Sequence, residues 1–182
     1  YQLVPTGVAT APDGTLYVAS RDLSRITRIQ HDERTFTAWG SVGSYGGPEQ
    51  LARPSDIAID SKGNVVVADT FQGKIMVLEA DGHFLRSFGS LGSGPGQFSG
   101  PNNVAVAQDG SIFVLDQGNA RVQKFDANGS YVREWGSTGS ANGQLACPDN
   151  ASCGLTVDDT PSVLLADTGN HRIQRFSLDG HY

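Results

Sequence analysis

The chain has 182 residues, a formal net charge of −6 and an isoelectric point near 5.0. An acidic balance of this kind does not neutralise phosphates, so nucleic acid is not the expected partner. Hydrophobic residues make up 38% of the chain, and no apolar run nears the roughly 18 residues that a membrane-crossing helix needs, so membrane insertion is not expected either.

Read along the chain, short apolar runs alternate with turn residues. The first block predicts strands at 7–10, 16–19, 25–29 and 35–39, and the second at 56–59, 65–68, 74–78 and 84–88. The third predicts them at 103–107, 112–115, 121–125 and 131–135. The fourth predicts strands at 155–157, 163–166 and 172–176, with only the start of a last one. Runs of four to six residues rich in Val, Ile and Phe, split by Asp-Gly-type turns, read as antiparallel meanders of about four strands. No helical period survives the 23 glycines, which fall at fixed places as turn residues.

The blocks repeat. Asp69 and Asp116 are 47 positions apart, as are Pro101 and Pro148. A period of that length marks stacked supersecondary units. One such sheet cannot bury both faces, but sheets packed around an axis bury each other, which predicts an all-β propeller. The blades are expected at about 5–40, 54–89, 101–136 and 153–182, forming one domain over 1–182 that belongs to a longer chain. Joining 179–182 to 1–4 rebuilds a block like 81–88. Residues 1–4 could therefore complete the last blade, within one chain or in a neighbour, the latter allowing self-association through the chain ends; a truncated six-bladed chain is the simpler expectation.

Gly-Ser-Leu-Gly-Ser-Gly-Pro-Gly-Gln-Phe at 89–98, then Pro101 and the run Val114 to Phe125, closely resembles the NHL repeat. So does the run Leu165 to Phe176. The resemblance covers almost the whole chain. It implies blades of the NHL propeller type, usually six to a domain, of which about four are present here. Related amidating lyases carry metal-binding His at the entrances of inner strands. The matching positions here are Thr6-Gly7, Asp56, Asn103 and Gly154, and none is His. Gluconolactonase-like relatives hold a cation with acidic residues near the channel, but only Asp56 among these entrances is acidic. No metal and no cofactor is expected. RNA binding, known in animal relatives, is disfavoured by the acidic balance.

The charged residues divide between architecture and surface. Asp69 with Lys74, Asp116 with Arg121 and Asp167 with Arg172 recur at one spacing across the turn between second and third strands. Catalysis would need one pair set apart, so structural ion pairing is the expected role. Block one has Ser20 opposite Arg25 instead, which predicts a weaker first blade, as at a terminal repeat. His31, His83, His171 and His181 fall in turns at unrelated positions, and no nucleophile elbow is present. The glycine-rich stretches 40–47 and 89–97 lack the Gly-Lys-Ser/Thr of a phosphate loop and read as inter-blade connections.

One place breaks the period. Four extra residues lie between Pro148 and Leu155, and Cys147 and Cys153 flank them. A disulfide is expected to staple this loop. Inside it, Asn150-Ala151-Ser152 is an N-glycosylation sequon, and Asn128-Gly129-Ser130 is a second at a hairpin tip. Disulfide and sequon together point to an extracellular or luminal setting. By analogy with other propellers, ligands are expected at a channel mouth formed by exposed Arg53, Ser55, Asp56, Asn102, Asn103 and the 147–153 loop. The expected function is a non-catalytic extracellular scaffold or recognition module that binds protein or glycan through one face. A filament subunit built by strand exchange and a propeller lyase or lactonase are the alternatives.

Overall fold

The structure, a computed structural model, describes residues 5–31, 35–40, 50–147 and 153–182. The segment 1–4, most of the 40–47 stretch and the sequon at Asn150 lie outside the described residues. Blade 1 is β1 (Pro5–Thr10), β2 (Leu16–Ser20), β3 (Arg25–Ile29) and β4 (Phe36–Trp39). Blade 2 is β5 (Pro54–Ile59), β6 (Val65–Asp69), β7 (Lys74–Leu78) and β8 (Phe84–Phe88). The connection onward holds a short parallel pair, β9 (Ser90–Leu91) and β10 (Gln97–Phe98). Blade 3 is β11 (Pro101–Val106), β12 (Ile112–Asp116), β13 (Arg121–Phe125) and β14 (Tyr131–Trp135). Blade 4 has three paired strands among the described residues: β15 (Gly154–Val157), β16 (Ser162–Asp167) and β17 (Arg172–Ser177). Within each blade the strands pair antiparallel in chain order, so the all-β propeller expected from the repeats is the architecture observed. No α-helix occurs among the described residues, only single 3₁₀ turns at Gln117–Asn119 and Thr168–Asn170.

Alternation of side chains along the second strands explains why the sheets stack. In β6, Val65 and Val67 face a core shared with Tyr17, Ala19 and Ile26 of blade 1. Val66 and Ala68 face a core shared with Val104, Ile112 and Val114 of blade 3. In β12 the same split sends Ile112 and Val114 toward blade 2, and Phe113 and Leu115 toward Leu155, Val163, Leu165 and Phe176 of blade 4. Successive residues point to opposite faces, so a strand buried on both faces must read as a continuous apolar run. That is why Val65–Asp69 and Ile112–Asp116 are buried throughout.

The outer rim is stapled by glycine against aromatic rings. Gly82 of blade 2 sits on Trp39 of blade 1, Gly129 of blade 3 on Phe88 of blade 2, and Gly180 of blade 4 on Trp135 of blade 3. All three glycines have positive φ, and a Cβ on Gly129 would lie 2.4 Å from Phe88. Both the turn and the close approach therefore require glycine. Between blades 3 and 4, Cys147 and Cys153 are joined in a disulfide with a Cα separation of 5.6 Å.

Candidate functional site

The recurrent charges lie where the chain enters each blade. Asp116 is fully buried. It accepts bonds from Ser99 N at 2.7 Å, Asn119 Nδ2 at 2.7 Å, Arg121 Nε at 2.9 Å and Gln123 Nε2 at 3.2 Å. Arg121 donates onward to the carbonyls of Gly94 and Gln97, both at 2.9 Å, and pairs with Glu134. Gln123 accepts from Gly96 N and donates to Gln97 O. The group ties the glycine-rich connection, whose backbone has no ladder of its own over 93–96, to the blade it leads into.

Blade 4 repeats the arrangement. Asp167 accepts from Ala146 N, Asn170, Arg172 and Gln174 at 2.8–2.9 Å. Burial works to raise the Asp167 carboxyl, but the bonds from Ala146, Asn170 and Arg172 together outweigh it, and its pKa is lowered.

The blades are graded in this respect. In blade 2, Asp69 accepts from Ala52 N, Arg53 N and Gln72. Lys74 stands in place of Arg, and Met76 in place of Gln. Burial lowers the Lys74 pKa, while the Asp69 charge opposes that shift. In blade 1 the corresponding Ser20 is fully buried, and its hydroxyl has no hydrogen-bond partner among the described residues. The carboxylates of blades 2 to 4 are held by backbone amides and side chains of their own connections. Asn119, Asn170, Gln123 and Gln174, which complete two of these groups, carry no mark in the sequence beyond their recurrence.

The mouth is built by a bulge at the start of the inner strands. Register shifts between Pro5 and Gly7, Pro54 and Asp56, and Pro101 and Asn103, so Thr6, Ser55 and Asn102 occupy equivalent bulge positions. Bulges re-aim side chains. The Thr6 hydroxyl donates to Pro54 O at 3.0 Å, and the Ser55 hydroxyl to Pro101 O at 3.2 Å, each reaching the next blade. Ser55 is therefore buried, 3% exposed, and not at the open mouth as expected from sequence. Its hydroxyl is used between blades.

Asn102 breaks the pattern. Its Nδ2 donates to Gln117 Oε1 at 3.1 Å, and its Oδ1 faces Arg21 at 3.4 Å, 81 residues away in the chain. Asn103 and Asp56 do come together: Asp56 Oδ2 accepts from Asn103 Nδ2 at 3.2 Å and Val104 N at 3.1 Å. Burial raises the Asp56 pKa against those bonds. Arg53 is exposed.

Three spaces bear on the mouth. A cavity of about 270 Å³ is lined by the inner strands of all four blades, with Asp56 among them. A cleft of about 330 Å³ is lined by Arg21, Thr70, Ser99, Gly100, Asn102, Gln117 and Gly118. Gln117 and Gly118 also border a cleft of about 450 Å³ that runs to Cys147. The two clefts meet at Gln117 and Gly118, and the first is the more polar of the two. Arg21, Thr70 and Gln117 directly follow Ser20, Asp69 and Asp116, a repeat position that carries no signal in the sequence alone.

Elsewhere, Glu79, Asp81 and His83 bring ligating atoms within 4.8 Å of one another on an exposed turn. The side-chain hydrogen bond that His83 donates to Asp81 raises the His83 pKa, and bonds donated by the His83 backbone and side chain lower that of Asp81. Turn geometry accounts for the group.

A family model for DUF5128, described as a 6-bladed beta-propeller, matches residues 49–137. No curated protein matches the chain by sequence. Among solved structures, a chain of a nidogen/laminin complex superposes with a TM-score of 0.76 and 20% identity, covering 97% of this chain and 62% of that one. A streptogramin B lyase gives 0.71 and 18%, covering 95% and 51%. An auxiliary nutrient binding protein from Bacteroides thetaiotaomicron gives 0.68 and 15%, covering 93% and 46%. At these identities the likeness shows the propeller fold alone. The chain spans roughly half to three-fifths of the length of these structures.

Proposed function

We propose that this chain is a non-catalytic recognition module of NHL type, exported by the secretory route, that binds protein or glycan through the mouth face. The observation that carries this reading is the division of its polar groups. The recurrent carboxylates hold connections to blades, while Arg21, Asn102 and Gln117, at repeat positions whose residue changes from blade to blade, line the open cleft. The disulfide and the exposed sequon at Asn128 support an oxidising compartment. The neighbours described as a nidogen/laminin complex and as a nutrient binding protein are compatible with recognition, and the lyase neighbour keeps an enzyme as the competitor to test. Against an activity like that of the related amidating lyases stand the inner-strand entrances Thr6-Gly7, Asp56, Asn103 and Gly154, where those lyases carry His.

The test is a screen of the immobilised chain against secreted proteins and glycans. It is repeated with Asn103→Ala and Arg53→Glu at the mouth and with Lys62→Ala on a distant turn. Partners lost with the mouth variants and kept with Lys62→Ala support the reading. Partners indifferent to the mouth, or turnover of lactone or streptogramin B substrates, would overturn it.

The far edge of blade 4 favours a second reading. Ser177 N donates to His181 O at 2.8 Å, as Glu79 N does to His83 O and Asp126 N to Ser130 O. The turn that leads into a fourth strand is thus formed, and Tyr182 packs on Phe176 as Tyr131 does on Phe125. Strand exchange through 1–4 of a second copy would use that edge. Sedimentation showing a monomer at every concentration removes this reading.

A further inference from the structure

We infer that blade 1 binds a small monovalent anion, of the size of chloride or formate, at the place where blades 2 to 4 carry their buried aspartate. Ser20, Asp69, Asp116 and Asp167 occupy one repeat position, and all four are fully buried. The register across the turn is kept as well. Ser20 stands opposite Arg25 as Asp116 does opposite Arg121 and Asp167 opposite Arg172. In blades 3 and 4 the arginine Nε donates to the aspartate at 2.9 Å. In blade 1 the same atom, Arg25 Nε, is buried without a hydrogen-bond partner, and so is the Ser20 hydroxyl opposite it. Arg25 forms no ion pair among the described residues. An unpartnered Nε also occurs at Arg21, Arg28 and Arg86, but Arg25 stands where two other blades show what that atom bonds: a carboxylate.

Charge, size and access select the ligand. A guanidinium stays charged, and a charged nitrogen taken out of water without a counter-ion is costly. Water would meet both bonds and leave that charge uncompensated. Serine in place of aspartate also changes the hydrogen bonding, because a hydroxyl can donate where a carboxylate only accepts. Ser20 and Arg25 therefore offer two donors, one of them charged, to a shared acceptor. Thr27 stands where blade 3 has Gln123, so two side chains that converge on the group in blade 3 are shorter in blade 1. The room they give up is that of a carboxyl group. It suits a halide or formate, and it is too small for sulfate or phosphate. With Ser20 fully buried, a side chain of a partner protein does not reach it, whereas a diffusing ion does when the blade opens locally. The ion then takes the part of Asp116 in a separable form, and the stability of blade 1 becomes linked to anion concentration.

The experiment is urea unfolding of the chain at constant ionic strength, with sodium gluconate, too large for the site, replaced stepwise by chloride or by formate. Wild type is compared with Ser20→Asp, Arg25→Gln and Lys62→Ala. The wild-type midpoint is expected to rise with either ion and to saturate, and Lys62→Ala to follow it. Arg25→Gln should weaken the apparent anion affinity by about tenfold or more, as loss of a charge-assisted bond does. Ser20→Asp tethers the carboxylate. Its midpoint in gluconate should lie above that of wild type and respond to neither ion. Crystals grown in bromide locate the ion independently of stability, with an anomalous peak expected between Ser20 Oγ and Arg25 Nε. A wild-type midpoint indifferent to the anion assigns water to the site and overturns the proposal. An equal response in Ser20→Asp makes the effect one of general salt and also overturns it. Bromide found solely at exposed arginines is an adventitious ion only, with the same consequence. If Ser20→Asp does not fold, the response of Arg25→Gln and the bromide peak decide.

Discussion

Blades 1 and 3 have nearly the same backbone and different polar anchors. β2 pairs β3 from Leu16 with Ile29 to Ser20 with Arg25, as β12 pairs β13 from Ile112 with Phe125 to Asp116 with Arg121. Both inner strands bulge one residue after a proline. Yet blade 3 holds its incoming connection with Asp116, Asn119, Arg121 and Gln123, whereas blade 1 has Ser20, Leu23, Arg25 and Thr27 in their places. Apolar alternation and turns suffice to set register. The buried carboxylate group has a separate role, fixing how one blade is delivered to the next.

Transplants between blades sharpen that contrast. Asp116→Ser gives blade 3 the residue of blade 1. It takes the buried carboxylate from Arg121, leaving only the half-exposed Glu134, strips Ser99 N, Asn119 and Gln123 of their acceptor, and is expected to cost about 3–5 kcal/mol in urea unfolding. A loss under about 1 kcal/mol, the range of an exposed pair, would break the distinction. Gly129→Ala tests the rim, which blades 2 to 4 share. A methyl driven against Phe88 at positive φ should cost about 1–3 kcal/mol, read as a lower urea midpoint with unchanged slope. Gln123→Met copies Met76 of blade 2. It strips Gly96 N and Gln97 O of a partner at the cost of about 1–2 kcal/mol, with faster exchange of the Gly96 amide.

The smallest effect is expected at Asp56→Asn, which gives blade 2 the Asn103 of blade 3. Burial raises the folded pKa of Asp56 above its ordinary 3.8, so the folded state holds this proton more tightly than the unfolded chain. Its contribution to stability is greatest below pH 3.8 and declines as pH rises through the folded value. Asn keeps an oxygen for Val104 N and Asn103 and loses that dependence. The variant should gain on wild type from acid to neutral pH in paired denaturation curves. Asp167, with its lowered pKa, acts in the opposite sense: its contribution is present above pH 3.8 and fades as pH falls through the folded value.

The strands, the propeller and the disulfide are legible in the sequence because each follows from local pattern: Val65 to Ala68 has no other way to be buried, and Cys147 and Cys153 bracket a break in the period. The spacing of Asp116 to Arg121 is equally plain. Its further partners are not, because a Gln such as Gln123 in a strand reads as a solvated face until the connection at 94–97 is seen above it. Ser55 reads as exposed in the sequence, but its bulge turns it toward Pro101 of the next blade. Arg21 is invisible there as a site residue, since its meaning depends on Asn102, brought opposite by two intervening inter-blade turns.

The division between architecture and recognition rests on the buried carboxylate groups being what locks each blade to its neighbour. Native-state hydrogen exchange resolved by blade tests this most directly. Val114, Val122 and Leu165 amides are predicted to exchange only through global unfolding, with Val18 and Ile26 of blade 1 opening at distinctly lower free energy. Equal protection in all four blades, or blade 1 the most protected, would contradict the account.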